Sequence, residues 1–202
     1  MYVVYLAGGI ASGKSTAAQI LEDRGALRLD LDALSRDVTA TGSATCERIA
    51  EEFGGDVLDE GTGALRRAVL ASRAFASPES TARLEAIVHP ALRALLEQRL
   101  READDRAVCV VEVPLLDRVE DLAEKADEVI CVVCPLAVRR ERARGRGMAA
   151  DDFDARAARQ PSDEYLRSHA DTVWDNGGTR NELESMIDLW WSEHELAGWE
   201  LA

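Results

Sequence analysis

Residues 2–16 read Tyr-Val-Val-Tyr-Leu-Ala-Gly-Gly-Ile-Ala-Ser-Gly-Lys-Ser-Thr. The first six residues are apolar, with β-branched and aromatic side chains, which predicts a strand buried on both faces. A loop follows over residues 8–13. A helix is predicted from Ser15 to Arg24, with Ala17, Ala18 and Leu21 at helical spacing and Gly25 as its stop. Residues 8–15 fit G-x-x-x-x-G-K-[ST], with Gly8, Gly13, Lys14 and Ser15 at the fixed positions and the required strand before and helix after. Backbone N–H groups of such a loop converge into a concave anion site. The N-terminus of the next helix adds its dipole and its unpaired donors. Lys14 is placed to reach outer phosphates as a point charge, and the Ser15 hydroxyl to ligate Mg2+.

Working outward, a second short strand is predicted over 26–29, ending at Asp30-Leu31-Asp32. A third, 107–113, is broken by Pro114, and a fourth, 128–134, is closed by Pro135. A fifth covers 172–174, just before Asn176-Gly177-Gly178. Helices are predicted over 136–145, 151–169 and 180–195. Strands alternating with helices predict an α/β fold with a parallel sheet and right-handed crossovers. Residues 33–104 read as helical, with Leu84, Ile87, Val88, Ala91, Leu92, Leu95, Leu96 and Leu100 at spacings of three and four. His89-Pro90 interrupts this run, and Pro90 is expected to open a new helix at its first position. The stretch is too long for one crossover and reads as an inserted subdomain.

Composition narrows the function classes. The 202 residues are 47% hydrophobic and 31% charged, as in a folded domain, and no apolar run approaches the ~18 residues of a membrane helix. A net charge of −14 speaks against nucleic acid and anionic membranes as partners. No export signal precedes the first strand, so a cytoplasmic address and reduced cysteines are expected for Cys46, Cys109, Cys131 and Cys134. Cys131 and Cys134 form C-x-x-C, but inside an apolar run, where small buried strand residues are the plainer reading than a redox pair or half of a metal site. Only Lys14 and Lys125 among 24 basic residues are lysines. A lysine at the motif position in a chain that otherwise writes positive charge as arginine strengthens the phosphate-site reading.

In an open parallel sheet, ligands bind beyond the carboxyl ends of the strands. The polar residues there are the 8–15 loop, Asp30 and Asp32, Glu112, the arginines after the fourth strand, and Asp175 with Asn176. Asp32 reads either as the carboxylate that accepts a proton from a substrate hydroxyl or as a helix N-cap. Asp30 is explained equally by turn chemistry. Glu112 reads as a carboxylate behind Mg2+ or as a polar strand end. Arg139, Arg142 and Arg146 share one helix face, Arg140 and Arg144 another, suited to phosphates on one side and to solvent or acidic neighbours on the other. Gly145 and Gly147 suit a movable lid. His89 reads as a packed or capping residue or as a substrate contact. Trp190 is expected in the core, with no role for Trp191.

The chain resembles the dephospho-coenzyme A kinase family. The resemblance rests on residues 6–16, Asp30-Leu31-Asp32, Phe53-Gly54, Arg67-x-x-Leu70 with Phe75, and Leu84-Glu85 with His89-Pro90. It continues through Pro114-Leu115-Leu116, Arg142 and Arg146, Arg156 with Gln160, and Ala170-Asp171 with Asn176. It implies a P-loop NTPase-type core (about 1–35, 105–138 and 161–202), a helical substrate-binding insert (about 36–104) and a short lid (about 139–160). It also implies transfer of the ATP γ-phosphoryl group, with Mg2+, to the ribose 3′-hydroxyl of dephospho-CoA. Asp32 then matches the catalytic base, Lys14 and Arg142 act at the transferred group, and Ser15 holds the metal. Gly8, Gly9, Ala11, Ser12, Gly13, Lys14, Ser15, Thr16, Arg142, Arg146 and Asn176 would line the nucleotide. Asp32, Arg67, His89, Pro114, Leu115 and Leu116 would line the acceptor.

Three departures stand out. Ala11 occupies a position where the family usually has glycine; Asp117-Arg118 replaces the usual Phe-Glu after Leu116; and the lid is one residue short after Arg146. Two rival readings are another P-loop nucleoside or nucleotide kinase and a nucleotide-binding switch without turnover. The helical insert with His89-Pro90 speaks against the first, and the dense lid arginines against the second.

Overall fold

The computed structural model describes residues 1–103, 107–119 and 126–196. Lys125 and the expected boundary at 104–105 fall outside the described residues. Five parallel strands form one sheet in the order β2-β3-β1-β4-β5: β1 (Tyr2–Gly8), β2 (Leu27–Asp30), β3 (Val108–Val113), β4 (Glu128–Val133) and β5 (Thr172–Asp175). The apolar runs that predict these strands are those the sheet buries; all of β3 is buried. Because β1 lies between β3 and β4, the strands that follow it are laid down on both of its sides. That is the switch point of the sheet, and the loop after β1 opens there.

The chain divides into two compact units. One comprises Met1–Asp30 and Ala103–Ala202, the other Leu31–Glu102. In the first, helices α1 (Lys14–Asp23) and α9 (Arg180–Leu196) pack on one sheet face. Ala17, Ala18, Leu21, Leu183, Ile187 and Trp190 form a continuous core with Val4, Leu6, Val110, Ile130 and Val132. Trp190 is in the core as predicted, and its indole N–H donates to both oxygens of buried Glu128, at 3.1 and 3.0 Å. The Tyr2 hydroxyl donates to the same carboxylate at 3.2 Å, and His194 Nε2 lies 3.2 Å from it. Glu128 therefore ties α9 to the first residue of β1.

The second unit holds α2 (Leu31–Val38), α3 (Ala44–Phe53), α4 (Arg67–Ala74) and α5 (Pro78–Glu102). Its core is Ile49, Phe53, Val57, Leu70, Ala74 and Ile87. Ser43 caps α3, accepting the Cys46 N–H at 3.1 Å.

Two expectations are corrected. Pro90 opens no new helix; α5 runs unbroken through it. Pro90 is exposed while Ile87, Leu92 and Leu96 are buried, so the missing N–H falls on the solvent side, where water can satisfy the freed carbonyl, and the buried stripe keeps the helix whole. The single helix expected over 151–169 is two, α7 (Ala150–Ala157) and α8 (Asp163–Ser168). Pro161 has no N–H to continue the first, and Ser162 caps the second by accepting the Tyr165 N–H at 3.1 Å. The preceding helix, α6 (Leu136–Gly145), lies where predicted. Among the described residues no helix is long and apolar enough to cross a membrane.

Candidate active site

The loop between β1 and α1 is built from close approaches. Gly13 has φ of 104° and is the N-cap of α1, and a methyl group there would overlap the Asn176 amide. Gly9 lies against the Arg139 guanidinium with no room for a side chain between them. Ser12 N–H donates to Gly9 O at 3.0 Å, closing a β-turn over residues 9–12. Ala11 is the third residue of that turn, with φ of 58°, the one non-glycine described residue with positive φ. Positive φ at this position alone is the signature of a type II turn, which favours glycine. The usual glycine at this position thus has a conformational cause, and Ala11 adopts the conformation against its own preference.

Around this loop the first unit gathers several side chains. Lys14 Nζ donates to Val113 O, at the end of β3, at 3.0 Å. The Ser15 hydroxyl donates to Glu112 Oε2 at 2.9 Å. Glu112 is buried, and its other oxygen receives Arg28 of β2, with Nε at 2.8 Å and Nη2 at 2.6 Å. Burial works against the Arg28 charge, but the hydrogen bond and charge of Glu112 outweigh it and hold the guanidinium pKa above its ordinary value.

Arg142 reaches Ser12 O at 3.4 Å and Gly178 O at 3.0 Å. Asn176 is buried, and its Nδ2 donates to Ser12 O at 2.7 Å. The Ser12 hydroxyl is buried without a hydrogen-bond partner among the described residues, so Ser12 serves the loop through its backbone. Arg139, only 6% exposed at the side chain, donates Nε to Ile10 O at 2.9 Å and pairs with Asp163 at 3.1 Å. Gln160 Oε1 accepts Ile10 N–H at 2.6 Å.

The two arginine faces of α6 separate. Arg140 pairs with Asp154 and Arg144 with Glu141, so that face meets acidic neighbours. Arg146 is exposed at the C-terminal end of the helix. Asp175 accepts Arg167 at 2.8 Å and Gly177 N–H at 3.2 Å, turned to these neighbours rather than to the loop. The C-x-x-C cysteines are free and buried, and burial pushes the Cys131 thiol up to about 12.

Of the remaining candidates, Thr16 is half-buried in α1, and Pro114 and Leu115 are half-buried just past β3. Leu116 is buried in a short turn of 3₁₀ helix, and Asp117 beside it is exposed. Asp30 is the last residue of β2, opposite Glu112 in register. In the second unit, Asp32 is in the first turn of α2, and Arg67 begins α4 with Nη2 3.2 Å from Thr39 Oγ1. His89 is half-buried on α5.

Comparison with known proteins decides the family. Residues 2–182 match the family described as dephospho-CoA kinase. The chain belongs to the dephospho-CoA kinase family. A dephospho-CoA kinase of Frankia casuarinae is 40% identical over 194 residues, covering 96% of this chain and 83% of that one. That of Corynebacterium diphtheriae is 41% identical over 194 residues, covering 94% and 96%. The crystal structure of TT1252 from Thermus thermophilus superposes with a TM-score of 0.80 at 30% identity, covering 95% of this chain and 97% of that one. As a member of a P-loop kinase family, the chain is a kinase whose co-substrate is a nucleotide.

Sequence reasoning misses Arg28 and takes Arg139 only as one of a set. Both leave a signal. Arg28 is a charge inside a short strand. Arg139 is a cation in the first turn of a helix, where the dipole disfavours it, so a specific acceptor has to hold it there.

Proposed function

We propose that this chain transfers the γ-phosphoryl group of ATP to the ribose 3′-hydroxyl of dephospho-CoA, giving coenzyme A and ADP. The observation that carries the reading is a complete phosphate loop, braced by Arg139, Arg142, Gln160 and Asn176, in a chain matched to the family over residues 2–182. The 3′-oxygen forms a bond to the γ-phosphorus as the bond to the bridging β,γ-oxygen breaks, and ADP leaves. Asp32 is the carboxylate we assign to take the hydroxyl proton. Lys14 shifts from Val113 O to the outer phosphates, and Arg142 and Arg146 add positive charge there. Gly8, Gly9, Ala11, Ser12, Gly13 and Thr16 contribute through the loop backbone and the helix start. Most of the acceleration comes from positioning and fixed charge.

The residues present fit Mg2+. Among the described residues no cluster of three or more His, Cys, Asp or Glu could hold a metal by itself. Mg2+ beside a nucleotide needs none, because it takes phosphate oxygens and waters with one or two protein ligands. The Ser15 hydroxyl donates its hydrogen bond to Glu112 and keeps its lone pairs for a cation. When bound, the cation neutralises charge developing on the transferred group. We assign the Leu31–Glu102 unit, with Arg67 and His89, to the acceptor together with Pro114, Leu115 and Leu116, and residues 139–160 to a lid.

ADP release measured with ATP and Mg2+, with and without dephospho-CoA, tests the reading. It should rise with the acceptor, in step with a 3′-phosphorylated product seen by mass spectrometry. ADP release indifferent to dephospho-CoA would refute the assignment of the acceptor.

A further inference from the structure

The turn over residues 9–12 has two possible orientations of its central peptide, Ile10–Ala11. Type I and type II turns differ by a flip of that peptide, and the positive φ of Ala11 marks type II. In a trans peptide the carbonyl and the next N–H point in opposite directions. Arg139 holds the Ile10 carbonyl at 2.9 Å, so the Ala11 N–H points away from Arg139. Gln160 holds the Ile10 N–H at 2.6 Å, which fixes the preceding peptide as well. Arg139 is itself immobilised, being 6% exposed, paired with Asp163 and laid against Gly9. The type II form is not the one alanine prefers, so it persists because these side chains over-determine it.

We propose that Arg139 and Gln160 are positioning residues that hold the flipped Ile10–Ala11 peptide so that the Ala11 N–H is presented to the β-phosphate side of a bound nucleotide. The inference rests on the reading of the loop as the ATP site. Gln160 closes the segment assigned as the lid, so the far end of that segment is bolted to the loop. Neither residue needs to touch the nucleotide for this role.

The test is calorimetric binding of ADP and of AMP, which lacks the phosphate in question, to the full chain. Gln160→Met keeps the side-chain volume and removes the acceptor. It should weaken ADP about tenfold, the worth of one presented hydrogen bond, and leave AMP unchanged. Arg139→Lys keeps the charge for Asp163 but loses the fork, and should act in the same direction. Adding Ala11→Gly to Gln160→Met should recover most of the ADP affinity, because glycine adopts the type II turn without strain. Equal weakening of ADP and AMP, no weakening at all, or no recovery with Ala11→Gly would each overturn the proposal. If the unaltered protein binds neither nucleotide, the ATP-site reading itself fails, which is a distinguishable result.

Discussion

Replacing Ala11 with glycine should stabilise the protein, although glycine usually does the opposite. At φ of 58° the alanine methyl crowds the backbone, a strain of about 1–2 kcal/mol for an L-residue in this region. Glycine removes that strain but adds freedom to the unfolded chain, which costs about 0.4–1 kcal/mol. The midpoints differ by a gain of about 0.8 kcal/mol, within a span of about 0–1.6, or roughly 2–3 °C in Tm for a chain of this size. Ala11→Val should lie on the other side, since a β-branched residue at positive φ is a genuine outlier. Urea unfolding followed by tryptophan fluorescence is the suitable assay. Among the described residues Trp174, Trp190 and Trp191 all lie in the unit that contains Ala11, so the signal reports that unit's own unfolding. A fall of about 0.4–1 kcal/mol for Ala11→Gly would mean that only the unfolded-state cost operates. The strain argument for the loop would then be wrong.

Lys14→Met should lower kcat/KM by at least about a hundredfold, the scale of one preorganised charge at the reacting group, with Tm little changed. Asp32→Asn should lower kcat by about 10²–10⁴ while leaving ATP binding intact, and a fully active variant would refute its role as base. Ser12→Ala removes a buried hydroxyl that has no partner among the described residues, so thermal melting should show stability unchanged or raised by about 1 kcal/mol. Tyr2 gives a pH dependence: burial first, then the charge and hydrogen bond of Glu128, push its phenol from the ordinary 10.0 to about 12. Its folded value is the higher one, so its contribution is fully present below about pH 10 and is lost as pH rises toward 12. Tyr2→Phe should flatten that part of an alkaline stability profile measured by circular dichroism.

How much of the fold and site is legible in the sequence follows from which interactions leave a mark on residue type. Strands buried on both faces require unbroken apolar runs, so β1, β3 and β4 can be read to within a residue or so. The phosphate loop can be read because close approach forbids side chains at Gly8, against Val132 O, and at Gly13, against Asn176, and absence of a side chain is itself a residue type. Pro90 misleads because a proline's cost depends on which face of the helix loses its hydrogen bond, and that face is set by burial on neighbouring turns. The 151–169 stretch misleads for the converse reason: helical periodicity continues across Pro161, but the backbone donor it needs does not. The loop's supports are hidden most deeply. Gln160 and Arg139 lie 150 and 129 residues from Ile10, and both grip its backbone. Every residue carries a backbone donor and acceptor, save for the N–H that proline lacks, so nothing at Ile10 advertises a partner. Only the partners carry a mark, a first-turn arginine and a glutamine beside a helix break. The helix dipole disfavours a first-turn arginine, and what holds this one is a carbonyl and a carboxylate: Ile10 O in the loop at the switch point of the sheet and Asp163 beside it.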